Sequence, residues 1–149
     1  MPSSDSLSAS AEDYLETILA LIADKGAARV RDVADALSVH KSTVSSALRQ
    51  LSERGYVNYR PYELATLTPR GQSIAEQVSQ DHAELKHFLV EVLLLDEETA
   101  ERHACKMEHV LERPVMQRLQ NLADYLATGR SHSRRFSAHL KASQEQAAV

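Results

Sequence analysis

Residues 30–51 read VRDVADALSVHKSTVSSALRQL. Val33, Ala34 and Leu37 fall on one face of a helix running from about Val30 to Leu37, and Val44, Ala47, Leu48 and Leu51 do the same for a helix that starts near Lys41 or Ser42 and ends at Gly55. Only Ser38-Val39-His40 separates them. Two short helices joined by so tight a turn, the second rich in small polar residues, make a helix-turn-helix pattern. His40, Lys41, Ser42, Thr43, Ser46 and Arg49 then occupy the start and outward face of the second helix. Small hydroxyl side chains there let a helix approach base edges, and Lys41 and Arg49 can reach phosphates or a guanine. The plain alternative is a solvated face on a helical hairpin.

Working outward, Ser8 or Ser10 caps an earlier helix whose stripe is Leu15, Ile18, Leu19 and Ile22 and whose stop is Gly26. Downstream, Tyr56–Arg60 and Leu64–Thr68 alternate as two strands around the turn Pro61-Tyr62-Glu63. That hairpin is a wing, from which Arg60 and Tyr62 reach toward a nucleic-acid backbone. Thr68-Pro69 opens a long helix carrying Ile74, Val78, Leu85, Phe88, Leu89 and Val92 to about Leu94. Further helices are expected over about Glu97–Leu111 and Pro114–Leu126. The remainder to residue 149 reads either as a short amphipathic helix around Phe136–Leu140 or as a frayed tail.

The predicted fold is therefore mainly α: a winged helix-turn-helix DNA-binding domain over residues 1–71, followed by an all-helical unit over 72–149. With 149 residues, 43% of them hydrophobic, the chain can build a small DNA-binding domain with a second helical unit packed on it. No run approaches the roughly 20 apolar residues of a membrane span. Residues 1–6 lack the basic flank and apolar stretch of a secretory leader, and one cysteine fits a reducing compartment, so the expected location is the cytoplasm. The net charge of −4 conceals a division: residues 29–70 hold seven Lys/Arg against four Asp/Glu, whereas residues 72–112 hold three against ten. Positive charge on the first suits phosphate contact, and clustered carboxylates on the second suit a cation or a solvated helix face.

Cys105, Glu108 and His109 are spaced to lie on neighbouring surface of one helix, as a thiolate, a carboxylate and an imidazole able to hold a divalent metal. Asp13 and Glu16 form an i, i+3 acidic pair on the first helix, and His82 sits midway along the long one. Each residue has an ordinary reading too. Cys105, beside Ala104, reads as a small buried hydrophobe; His109 as a core histidine bonded to a carbonyl; Asp13 as a first-turn carboxylate favoured by the helix dipole. His82 and His87 subtend roughly 140° around a helix of 3.6 residues per turn, so they do not face one site together. His87 and His103, with His40, are expected at the surface or on the DNA side.

In these motifs the chain resembles the diphtheria toxin repressor and manganese transport regulator family of metal-dependent transcription repressors. The resemblance covers about residues 10–126 and rests on Ala11-Glu12-Asp13-Tyr14-Leu15-Glu16, Val44-Ser45, the wing followed by Leu67-Thr68-Pro69-Arg70-Gly71, and Cys105-Lys106-Met107-Glu108-His109-Val110. It implies a short form without the SH3-like domain of longer members. It also implies the metal ligands Asp13, Glu16, His82, Cys105, Glu108 and His109. Asp13 and Glu16 match the manganese-sensing branch, Cys105 matches the iron-sensing branch, and His82, Glu108 and His109 match both. The chain departs from the iron branch at Lys86 and Glu101, where that branch has a Glu and a His for a second site.

The expected function is a repressor that binds Mn(II), Fe(II) or both and then binds double-stranded operator DNA as a homodimer to control metal homeostasis genes. Carboxylate and imidazole suit Mn(II), whereas a thiolate pulls toward softer ions. The cation is expected to clip the DNA-binding and metal-binding units together, and Val110, Leu111, Val115, Met116, Leu119 and Leu122 are expected at the dimer interface. No enzyme is expected: the chain has no nucleophile elbow, H-E-x-x-H helix or Gly-rich phosphate loop, which weighs against a metallo-hydrolase. The other rival is a winged-helix regulator responding to an organic ligand or to oxidation of Cys105.

Overall fold

A computed structural model describes residues 7–147; residues 1–6, on which the expectation of no leader rests, lie outside the described residues. The chain divides into two compact units, Met1–Ser79 and Gln80–Val149. The fold is mainly α, with a winged helix-turn-helix followed by a helical unit.

In the first unit, helix α1 spans Ala9–Lys25, α2 Val30–Leu37 and α3 Lys41–Glu53. The Ser8 hydroxyl accepts from the Ala11 backbone N–H to start α1, and Gly26, at φ 72°, ends it in the left-handed conformation that glycine adopts without penalty. Between α2 and α3 the turn is made by Ser38, also left-handed at φ 54°. Leu15, Ile18, Val33, Val44 and Leu48 are fully enclosed and pack with Leu51, Tyr56, Val57 and Ala65.

The wing is smaller than its alternation suggests. Strands β1 (Val57–Asn58) and β2 (Thr66–Leu67) pair antiparallel, with Val57 opposite Leu67 and Asn58 opposite Thr66, and Ala65 bridges to Ala28. Residues 60–64 are exposed and turn at Glu63 N–H to Arg60 O, with Tyr62 at φ 69°. With no apolar face to bury, the expected strands Tyr56–Arg60 and Leu64–Thr68 stop short of the tip. Helix α4 (Pro69–His87) begins at a tight junction: the Thr68 hydroxyl accepts from Gly71 N–H at 3.1 Å and donates toward the Gly55 and Tyr56 carbonyls at 2.8 and 3.1 Å.

In the second unit, α4 widens into a π turn over Phe88–Val92 before α5 (Glu97–Met107), α6 (Arg113–Thr128) and α7 (Arg130–Ala147). Asp96 caps α5 by accepting from Thr99 N–H at 2.8 Å. Leu85, Leu89, Ala100, Ala104 and Met116 form the core, with Leu93, Met107, Leu111 and Leu119 packed against it. Three expectations change here. Helix α5 ends at Met107 instead of Leu111, because the chain turns at 108–110 ahead of Pro114, which sits in the first turn of α6. Met116 belongs to the unit's own core, as do Leu111 and Leu119 at its edge, while Val110, Val115, Leu122 and Tyr125 stay exposed. The segment read either as a short helix around Phe136–Leu140 or as a frayed tail forms the last turn of α6 and a longer helix, α7, whose Ser133, Phe136, Ser137 and Leu140 recur at helical spacing and are half-buried.

Candidate metal centre and nucleic-acid interface

The second unit brings four of the expected ligands into one neighbourhood. His82, two residues after the start of that unit's stretch of α4, is held at both ring nitrogens: Nδ1 lies 2.6 Å from Glu108 Oε2 and Nε2 lies 3.0 Å from Glu101 Oε1. Glu108 is the C-cap residue of α5 and its side chain is almost wholly enclosed, at 2% exposure. His109 Nε2 lies 3.3 Å from its other oxygen. Cys105 Sγ lies 3.9 Å from Glu101 Oε1, and ligand atoms of His82, Glu101 and Cys105 all fall within 4.8 Å of one another.

The electrostatics follow from this packing. Burial pulls the His82 imidazolium down, but the hydrogen bond and charge of Glu108, joined by Glu101, outweigh it and raise its pKa above the usual histidine value. Glu101 is held below the usual carboxylate range, first by the Lys86 ammonium and then by His82. Lys86 in turn is raised by Glu101. A second charged pair closes the unit nearby, where Arg113 donates to Asp81 at 2.5 Å, and Gln120 donates to Glu84.

Two readings made from spacing alone change. Glu108 and His109 are presented by a turn just past α5, so the three residues Cys105, Glu108 and His109 do not share one helix. Cys105 is exposed, which removes its reading as a small buried hydrophobe. Glu101 is the residue that sequence reasoning passed over as a ligand. Its i, i+4 relation to Cys105 was available in the sequence, but nothing there says that His82 from another helix meets it. His87 and His103 are exposed. Asp13 and Glu16 stand one turn apart on α1 in the first unit, each half-buried.

The donor set fits a divalent transition ion: imidazole, carboxylates and a thiol from α4, α5 and the following turn, with the carboxylate Glu108 enclosed rather than solvated. In the first unit, His40, Lys41, Ser42, Thr43, Ser46 and Arg49 are all exposed along the start and outer face of α3, while Val44, Leu48 and Leu51 anchor its other side. Arg60 and Tyr62 are exposed on the wing. The arrangement can offer a helix to a groove and cations to phosphates. Sequence reasoning also overlooked Arg54 and Arg70, whose guanidinium groups lie 5.3 and 4.5 Å from the centre of the buried Tyr56 ring beside the wing.

Family models described as the iron dependent repressor N-terminal DNA binding domain and the iron dependent repressor metal binding and dimerisation domain match residues 6–65 and 68–135. The chain belongs to the family of iron-dependent repressors. It is a metal-dependent transcriptional repressor of the diphtheria toxin repressor and manganese transport regulator family, and members of that family are transcription regulators. An HTH-type transcriptional regulator of Methanocaldococcus jannaschii is 40% identical over 76% of this repressor and 92% of its own length. The HTH-type transcriptional regulator MntR of Geobacillus kaustophilus is 38% identical over 78% and 82%. Among solved structures, a manganese-dependent transcriptional repressor complex with manganese is 28% identical with a TM-score of 0.67, covering 74% of this repressor and 51% of that chain. The IdeR of T. acidophilum shares the fold, with a TM-score of 0.68 at 24% identity, over 76% of this repressor and 53% of its own chain. The repressor thus spans about half the length of these solved relatives. No helix among the described residues is long and apolar enough to cross a membrane.

Proposed function

We propose that this repressor responds to Mn(II) or Fe(II) and, with metal bound, holds operator DNA as a homodimer to control genes of metal homeostasis in the cytoplasm. The observation that carries the proposal is the convergence of His82, Glu101 and Cys105, whose ligand atoms lie within 4.8 Å of one another in the second unit, with the enclosed Glu108 at the other nitrogen of the His82 ring. The ligand set is Asp13, Glu16, His82, Cys105, Glu108 and His109, with the two α1 carboxylates assigned on the family resemblance. Residues 1–71 serve DNA and residues 72–149 serve metal and dimer formation.

A bound dication supplies the positive charge that lets carboxylates, imidazole and thiolate stay together without mutual repulsion. His82 contributes a ring nitrogen once it gives up its proton, and Glu108 brings an enclosed negative charge. The relatives named MntR favour Mn(II), while the Cys105 thiolate favours Fe(II), so both are assigned. On DNA, His40, Ser42, Thr43 and Ser46 face base edges and Lys41, Arg49 and Arg60 face phosphates or guanine. In a two-fold dimer the two α3 helices match half-sites about one helical turn apart or a multiple of it. The exposed Val115, Leu122 and Tyr125 of α6 are the surface assigned to the dimer.

The test is operator affinity without oxygen, in chelator and after adding Mn(II) or Fe(II). Specific binding should vanish in chelator and return with either metal; equal affinity in both states sinks the proposal. Lys41→Ala or Arg49→Ala should reduce the salt slope of binding by about 1. The exposure of Cys105 favours one rival, regulation by thiol oxidation. Under that rival, Cys105→Ser abolishes an oxidant response and leaves metal-free and metal-loaded protein alike.

A further inference from the structure

Glu101 stands outside the ligand set given by resemblance, and its two oxygens keep different company. Oε1 lies 3.0 Å from His82 Nε2 and 3.9 Å from Cys105 Sγ, while Oε2 lies 3.0 Å from Lys86 Nζ. Lys86 sits one turn beyond His82 on α4, and its Nζ also lies 4.0 Å from Glu97 Oε2. A fixed positive charge is thus already paired, on one side, with a carboxylate that on the other side faces an imidazole and a thiol.

We infer that Glu101 is a ligand to the metal and that Lys86 is a tethered cation that sets the metal concentration at which the His82, Glu101 and Cys105 cluster fills. The inference rests on the metal-responsive reading above and concerns residues that the family resemblance marks only as departures. The physical reason is competition. The ammonium draws on the negative charge that Glu101 would offer an ion, and it repels a dication arriving a few ångströms away. For charges so placed at a partly screened surface, the effect on affinity is about tenfold. Lys86 keeps its grip on Oε2 while Oε1 remains directed at His82 and Cys105, so the ammonium lowers affinity without removing the ligand. Because it acts by charge, it weakens every dication and leaves the choice among metals to the donor atoms.

The test is Mn(II) affinity of the full chain by competition with a fluorescent chelator, with the thiolate-to-metal charge-transfer band of the Co(II) protein as a second readout. Lys86→Gln should bind Mn(II) about tenfold more tightly, Lys86→Arg should behave as wild type, and Glu97→Gln should change little. Glu101→Gln should weaken binding, and in that background Lys86→Gln should tighten it by less than in wild type, since only the direct repulsion of the dication is left. The Co(II) band should persist in Lys86→Gln, which reports an intact Cys105 ligand and a folded unit. A wild type that binds Mn(II) while Lys86→Gln binds it equally or less tightly overturns this inference alone. A wild type that binds no Mn(II) overturns the metal reading beneath it, and this inference with it.

Discussion

At the scale of single residues, Gly71 shows how little room the junction between wing and α4 allows. A methyl group added there would run into the carbonyl oxygen of Tyr56, which already accepts from the backbone N–H and the hydroxyl of Thr68. The obstacle is backbone, so it has nowhere to rotate. Gly71→Ala should therefore destabilise the protein by about 2–3 kcal/mol, although the same change within an exposed helix is stabilising. Urea unfolding of the two proteins checks this, and a midpoint equal to or above that of wild type would mean that the junction is looser than described. Glu101 marks the limit of what residue types alone reveal. The sequence names Cys105, Glu108 and His109 because they are close in number, whereas Glu101 acquires meaning only through His82 and Lys86 from another helix. Exposure of Cys105 was likewise invisible, since its alanine neighbour is equally at home inside or outside.

At the scale of elements, periodicity located the helices and caps fixed several of their ends. Gly26 was readable as the end of α1 and Ser8 as one of two candidate caps, with Ser38-Val39-His40 readable as the turn between α2 and α3. Strand length was not readable, because alternation continues through residues that have no sheet to join. The end of α5 was misjudged for a related reason: Glu108 to Val110 have helical composition, and only their packing shows a turn. The start of α5 gives a measurable consequence. Asp96 accepts from Thr99 N–H, and that bond, first among several causes, holds its carboxyl below the ordinary value of 3.8. A depressed folded-state pKa means the contribution is present above the unfolded-state value and is lost as pH falls through the folded one. The stability advantage of wild type over Asp96→Ala should therefore be largest near neutral pH and shrink in acid. Asp96→Asn, which keeps an acceptor without the charge, should show less of this dependence. Thermal melts of the three proteins between about pH 3 and pH 7 decide it; a constant wild-type advantage would remove Asp96 as the source.

At the scale of the whole molecule, metal and stability should be linked, because an ion that binds only the folded chain stabilises it by mass action. Mn(II) at 100 times its dissociation constant should add about 2.7 kcal/mol, and each kcal/mol is worth roughly 2–4 °C in Tm for a chain of this size. Chelator should reverse the shift and His82→Ala should remove it. An unchanged Tm with Mn(II) would mean that the ion does not discriminate the folded state.

The π turn at Phe88–Val92 gives this linkage a geometrical condition. Its Leu93 N–H reaches back five residues to Phe88 O, one more than an α-helix uses, and Phe88, Leu89 and Val92 are all buried around it. Each residue of a helix turns the chain by about 100°. Deleting Val90 would turn the pattern of inward side chains away from the core and shorten the path from His82 to the cap at Asp96. Val90→Ala changes the side chain and keeps the count, so it should retain the Mn(II)-induced rise in Tm that the deletion loses. The turn is a spacer, and what it must preserve is the number of its residues more than their identity.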